Sequence, residues 1–136
     1  MLNLSVDTRH TAGVILLTVV GIEWGGYYLL RVVRGAIART PFQQSFERAG
    51  HAHAGVLVIF SMLALVLADS AHLTSVVSLV ARSGIPAAAI LMPAGFFFSA
   101  IGAGRTAPNR FVWLLYAGTV CLAAGVVTLG IGLLAS

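Results

Sequence analysis

Four long apolar runs, separated by short polar connections that carry most of the arginines, set the pattern of this chain. The runs cover Ala12–Val33, His53–Asp69, Gly84–Ala103 and Phe111–Leu134. Each approaches the roughly 20 helical residues needed to cross a bilayer's hydrocarbon core, the second only if His51 is included. The runs are continuous rather than alternating, and backbone groups in lipid must pair within their own segment, so they predict helices and not strands. The first run carries Glu23 and no small-residue cleavage site follows it, so it reads as a span and not as a removable leader. The expected fold is therefore all-α: an integral membrane four-helix bundle of one domain, residues 1–136, with both termini on the same side.

Composition agrees with the pattern. Of the 136 residues, 59% are hydrophobic and only 9% charged, whereas a soluble domain carries about 25% charged residues. All eight basic residues are arginines. Arg31, Arg34, Arg39 and Arg48 surround the first connection and Arg105 and Arg110 lie in the third, against Arg9 in the N-terminal tail and Arg82 in the second connection. The positive-inside bias then puts the first and third connections in the cytoplasm and both termini outside, with the inner (plasma) membrane as the expected location. The net charge of +4 is accounted for by topology and headgroup contact, and nucleic acid is not an expected partner. The single cysteine, Cys121, sits inside the fourth run and reads as a packing residue. The absence of CxxC and CxxCH motifs excludes covalent c-type haem.

Small residues usually mark helix contacts in lipid. Gly118, Gly125 and Gly132 recur every seven residues in the fourth run, beside Ala117 and Ala124; Gly95, Ser99 and Ala103 mark the third, and Gly21 and Gly25 the first. Two such faces can close a bundle, and the third suits a second copy of the chain, so a homo-oligomer is expected. Pro86 either starts the third helix or kinks it. Pro93 lies deeper, where a kink filled by aromatics and room for a flat ligand are both compatible with the sequence.

Candidate chemistry lies in the few polar groups near lipid. Glu23 falls near the middle of the first span, where a carboxyl costs a few kcal/mol and is a functional candidate, with Tyr27 one turn on along the same face. His51 and His53 stand at the mouth of the second run. Two positions apart, they point roughly 200° away from each other on a helix and cannot share one metal. One is expected to face the bundle, the other to cap the helix start or meet solvent. A single imidazole suffices as an axial haem ligand. Asp69 and His72 at three-residue spacing suggest a solvated helix end. Arg48, Arg105 and Arg110 share one side of the membrane and suit carboxylate or phosphate groups.

Several stretches, in order, resemble styrene oxide isomerase, a family of small four-helix membrane enzymes. They are His10 with Gly13-Val14-Ile15-Leu16; Arg48-Ala49-Gly50-His51-Ala52-His53-Ala54-Gly55; Phe96-Phe97-Phe98-Ser99; and Gly104-Arg105-Thr106 with Pro108-Asn109. The resemblance implies a homotrimer holding haem b between subunits, whose ferric iron acts as a Lewis acid on a small apolar epoxide without net redox change. It implies an axial histidine in the second segment. His53 fits the following small–glycine pair and His51 the preceding arginine–alanine pair; His53, deeper in the span, is favoured as the metal ligand. Arg48, Arg105 and Arg110 would bind the haem propionates. The chain departs from the family at three polar positions: Ile59 (or Leu57, if His51 ligates) replaces an asparagine, Phe96 a tyrosine, and a residue near Ala88 an aspartate. Glu23 and Tyr27 are the candidate replacement catalytic groups. The other readings are a non-enzymatic haem subunit for electron transfer or sensing, and a cofactor-free transporter or scaffold that uses Glu23.

Overall fold

The computed structural model describes residues 4–71 and 73–136, Ser75 without its side chain. Among these residues there are four long helices and no strand: α1 Val6–Val33, α2 Pro41–Ser70, α3 Ser75–Ser99 and α4 Trp113–Leu134, the last entered through a 3-10 turn, Arg110–Val112. All four are long and apolar enough to span a membrane, and both termini lie on one side. The chain is a multi-pass, all-α membrane protein.

The helices extend beyond the apolar runs, for local reasons. α2 starts at Pro41 because Thr40 and Gln43 form a reciprocal capping box, with proline at the first helical position where its missing N–H costs nothing. His51 and His53 therefore lie more than two turns inside α2, and neither caps its start. α3 starts at Ser75, ahead of its apolar run, and its second turn carries Arg82, which pairs with Asp69 of α2. Pro86 is thus inside α3 and does not start it. α3 stops at Ser99, short of Ala103, where Gly102 (φ 123°) and Gly104 (φ 62°) take left-handed backbone that other residues rarely adopt. Asn109 joins the two sides of this turn: its Nδ2 donates to the Phe98 carbonyl at 2.8 Å, and its Oδ1 accepts from the Phe111 N–H. α1 closes in a Schellman motif. Gly35 (φ 74°) donates to the Val32 carbonyl and Ala36 to that of Arg31.

Neighbours in sequence pack as neighbours in space, but unequally: α3 and α4 are pressed together, α2 packs on α3, and α1 leans essentially on α2 alone. Glycine explains the first pairing. A Cβ on Gly95 would lie 2.5 Å from the Leu115 nitrogen, and one on Gly125 2.9 Å from the Ile85 nitrogen. A Cβ on Gly118 would strike Met92, and one on Gly132 would strike Leu73. Of the seven-residue seam, Gly132 thus meets Leu73 in the connection before α3, while Gly118 and Gly125 make the α3–α4 contact. Around it Ala64, Ala68, Ala81, Ile85 and Leu129 form one core cluster, and Leu57, Ala88 and Met92 another.

α1 is held mainly at its two ends. At one, Arg82 pairs with Asp69 at 2.7 Å and donates to the Thr8 hydroxyl at 2.8 Å, while the Ser5 N–H donates to Asp69. At the other, Arg39 pairs with Glu47 at 2.9 Å and donates to the Tyr28 hydroxyl at 2.8 Å, and Tyr28 donates to Glu47 at 3.0 Å. The Asp69–His72 pairing suggested by spacing lies outside the described residues.

Gly95→Val is expected to destabilise the bundle by about 1–3 kcal/mol through overpacking. Gly13→Ala, where an added Cβ meets nothing within 4 Å, is expected to be neutral or to stabilise by up to about 1 kcal/mol through helix propensity. Unfolding in mixed micelles titrated with a denaturing detergent measures both.

Candidate functional site

Because α2 is a regular helix through both histidines, their rings enter different environments. His51 faces α1. Its ring would lie 3.4 Å from a Cβ on Gly25 and 3.3 Å from one on Gly26, so these glycines provide the space it occupies. It lines a cleft of about 380 Å³ between α1, α2 and α3 whose other walls include Thr18, Ile22, Pro86, Pro93 and Phe97. Both α3 prolines border this cleft.

His53 is on the far side of α2, half-buried, beside the lipid-facing stripe of Val56, Ile59 and Leu63. Its Nδ1 lies 2.8 Å from the Ala49 carbonyl one turn back. A carbonyl oxygen can only accept, so Nδ1 carries the hydrogen, and it is Nε2 whose lone pair is free for a metal in the neutral ring. Ligating histidines are usually oriented in this way. The ring packs against Phe96 of α3, centroids 4.9 Å apart, and Phe96 meets Phe46 at 5.4 Å, giving the imidazole an aromatic wall. Gly50 permits this approach, since a Cβ there would strike Phe96 and Phe97.

The structure does not gather the other candidates around either ring. Glu23 and Tyr27 share a shallow groove with Val20, Gly21 and Trp24, bordered by α1 alone and open outward. Arg48 is exposed on α2. Arg110 is exposed with its guanidinium 5.5 Å from the Phe111 ring. Arg105 is half-buried; its carbonyl accepts from the Thr40 hydroxyl and its Nε is buried without a partner. These three arginines share the end of the bundle where α2 starts and α3 ends. Three apolar residues noted in the sequence take different places: Ile59 is exposed, Ala88 is fully buried in the α2–α3 core, and Phe96 is the wall beside His53. Among the described residues, no three histidine, cysteine or carboxylate side chains converge as a metal cluster.

One polar cluster is not assembled by the sequence, although its carboxylate, Glu47, stands in the Phe46–Gly55 segment that carries both histidines. Glu47, only 5% exposed, joins Arg39 and Tyr28 from separate segments, and its Oε2 has no partner. The hydrogen bond to Tyr28 pushes the Arg39 guanidinium above its ordinary value, so it stays charged. Gln43 beside this site donates to the Ala100 and Gly102 carbonyls, at 2.9 and 2.8 Å, satisfying the end of α3. The available signal was Glu47 itself, a carboxylate inside a helix otherwise turning apolar; its partners, 8 and 19 positions earlier, show no pattern that pairs them.

Comparison with protein-family models, with curated proteins and with solved structures yields no match. The class of the protein, a four-span helical membrane protein, rests on its own architecture.

Arg39→Met is expected to cost about 3 kcal/mol or more, because it strands the Glu47 charge in a buried site. Adding Glu47→Gln should recover more than half of that loss. A double-mutant cycle in the same unfolding assay measures the coupling.

Proposed function

We propose that the protein binds haem b through Nε2 of His53, on the outward face of α2 and between copies of the chain. The observation that carries this reading is the Nδ1 bond to the Ala49 carbonyl. It holds the ring in the tautomer a metal ion requires, with Nε2 uncommitted. The aromatic wall of Phe96 and Phe46 suits a flat macrocycle. Arg48, Arg105 and Arg110, which share one end of the bundle, would hold the propionates, and the unpartnered Nε of Arg105 has hydrogen-bonding capacity to spare. The half-exposed position of His53 at the edge of the lipid-facing stripe favours an oligomer, a trimer by resemblance, whose neighbouring copy closes the site.

Haem bound there would supply a Lewis-acidic iron able to polarise the oxygen of a small apolar ligand. The chain's own residues orient the imidazole, keep water away through Phe46, Phe96 and the lipid-facing aliphatic stripe, and admit apolar molecules from the bilayer. His51 faces the opposite side of α2, which favours one ligand per chain and so an isomerase-like role over a bis-histidine electron carrier. A cofactor-free transporter using Glu23 has less support, because the groove beside Glu23 is formed by α1 alone.

Purified in detergent after haem-supplied expression, the protein is expected to show a Soret band that His53→Ala abolishes and His51→Ala retains. A colourless preparation, or a band that survives His53→Ala, overturns the proposal. Incubation with styrene oxide tests the catalytic part: haem-dependent phenylacetaldehyde supports it, and no product from haem-loaded protein rejects it.

A further inference from the structure

A second site, independent of His53, lies across the α1–α2–α3 junction. Glu47, Arg39 and Tyr28 form one end of a cleft of about 390 Å³ whose walls include Trp24, Phe97 and Phe98. Gly21, Gly25 and Phe97 line both this cleft and the apolar cleft beside His51, so the two adjoin. Together they make a lipid-accessible groove with a polar head and an apolar body.

The head has a definite hydrogen-bonding demand. Glu47 Oε1 accepts from Tyr28 and lies 2.9 Å from the Arg39 guanidinium, while Oε2, removed from solvent, accepts nothing. A buried carboxylate oxygen without a donor is costly, and the Glu47 side chain is only 6% exposed. What is missing is therefore a donor and not an acceptor. The charges of Arg39 and Glu47 cancel, so neither a cation nor an anion is favoured overall. Trp24, Phe97 and the adjoining aliphatic walls favour an apolar body.

We infer that this groove binds a neutral, largely apolar molecule bearing one hydroxyl or N–H group, an alcohol or phenol drawn from the bilayer, and that the side chains covering Glu47 Oε2 give way so that this group donates to it. Its apolar part lies along α1 toward His51. Arg39 and Tyr28 hold the carboxylate in place and act as positioning residues. His51, bordering the apolar stretch, offers a polar group further along the groove.

The test uses full-length protein in lipid nanodiscs with Trp113→Phe, leaving Trp24 in the groove as the only tryptophan. A brominated dodecanol and the matching brominated 2-dodecanone are compared as quenchers, and the saturable component is defined by displacement with unbrominated 1-dodecanol. The alcohol, a donor, is expected to bind about tenfold or more tightly than the ketone, which can only accept. Glu47→Gln places an amide donor at the same position and is expected to reduce the preference to about twofold or less, chiefly by admitting the ketone. Equal affinity of alcohol and ketone for the parent protein overturns the inference and assigns Oε2 to water. An alcohol preference unchanged by Glu47→Gln overturns it as well. Should Glu47→Gln not fold, the parent's alcohol-to-ketone ratio decides. Haem content does not enter the measurement, so failure here and failure of the His53 assignment are distinguishable.

Discussion

The seating of α1 depends on two arginine–carboxylate clamps at opposite ends of the bundle. Lipid provides no hydrophobic force to press α1 inward, since its apolar side chains are as well solvated by acyl chains as by other helices. Arg82 with Asp69, Thr8 and Ser5 fixes one end; Arg39 with Glu47 and Tyr28 fixes the other. Between them α1 meets mainly α2, at Ile15 against Val58 and Leu65 and at Gly25 and Gly26 against His51. The clefts that border α3 follow from this arrangement. Tied at its ends and lightly packed in its middle, α1 leaves space that a fully packed bundle would fill.

α4 shows the opposite principle. Gly118 and Gly125 bring its backbone against Met92 and Ile85, and Gly95 brings α3 against Leu115, so dispersion over a close contact does what salt bridges do for α1. The protein thus has a closely packed half, α3 with α4, and a half whose position is set by a few polar groups. The clefts lie beside the second half.

The number of spans and the α4 seam were legible in the sequence, because continuous apolar runs and a seven-residue glycine period are local properties. The ends of the helices were less so. The apolar run of α2 begins at His53, but the helix begins at Pro41, a start that Thr40, Pro41 and Gln43 encode in capping chemistry and not in hydrophobicity. The opposed directions of His51 and His53 followed from helical geometry. Which ring faced the cleft did not, since that depends on Gly25 and Gly26 of another helix. Glu23 drew attention as a charge in mid-span, whereas the carboxylate that the fold buries is Glu47, whose partners Tyr28 and Arg39 come together only when α1 turns back at Gly35. Local pattern can identify a polar residue in an apolar setting. It cannot supply the residue from another helix that satisfies it.

The length of α2 has a consequence for the surroundings this protein requires. Thirty residues of helix span about 45 Å, well beyond a hydrocarbon core of about 30 Å. The excess lies toward Pro41, which sets the Arg39–Glu47 pair toward the headgroup layer, where water and lipid phosphates reach the partly exposed Arg39 while Glu47 stays covered. A thicker membrane would draw that pair toward acyl chains unless the helices stood more upright, and a thinner one would relieve it through greater tilt. Bilayer thickness is therefore coupled, through one overlong helix, to the polarity around the head of the groove.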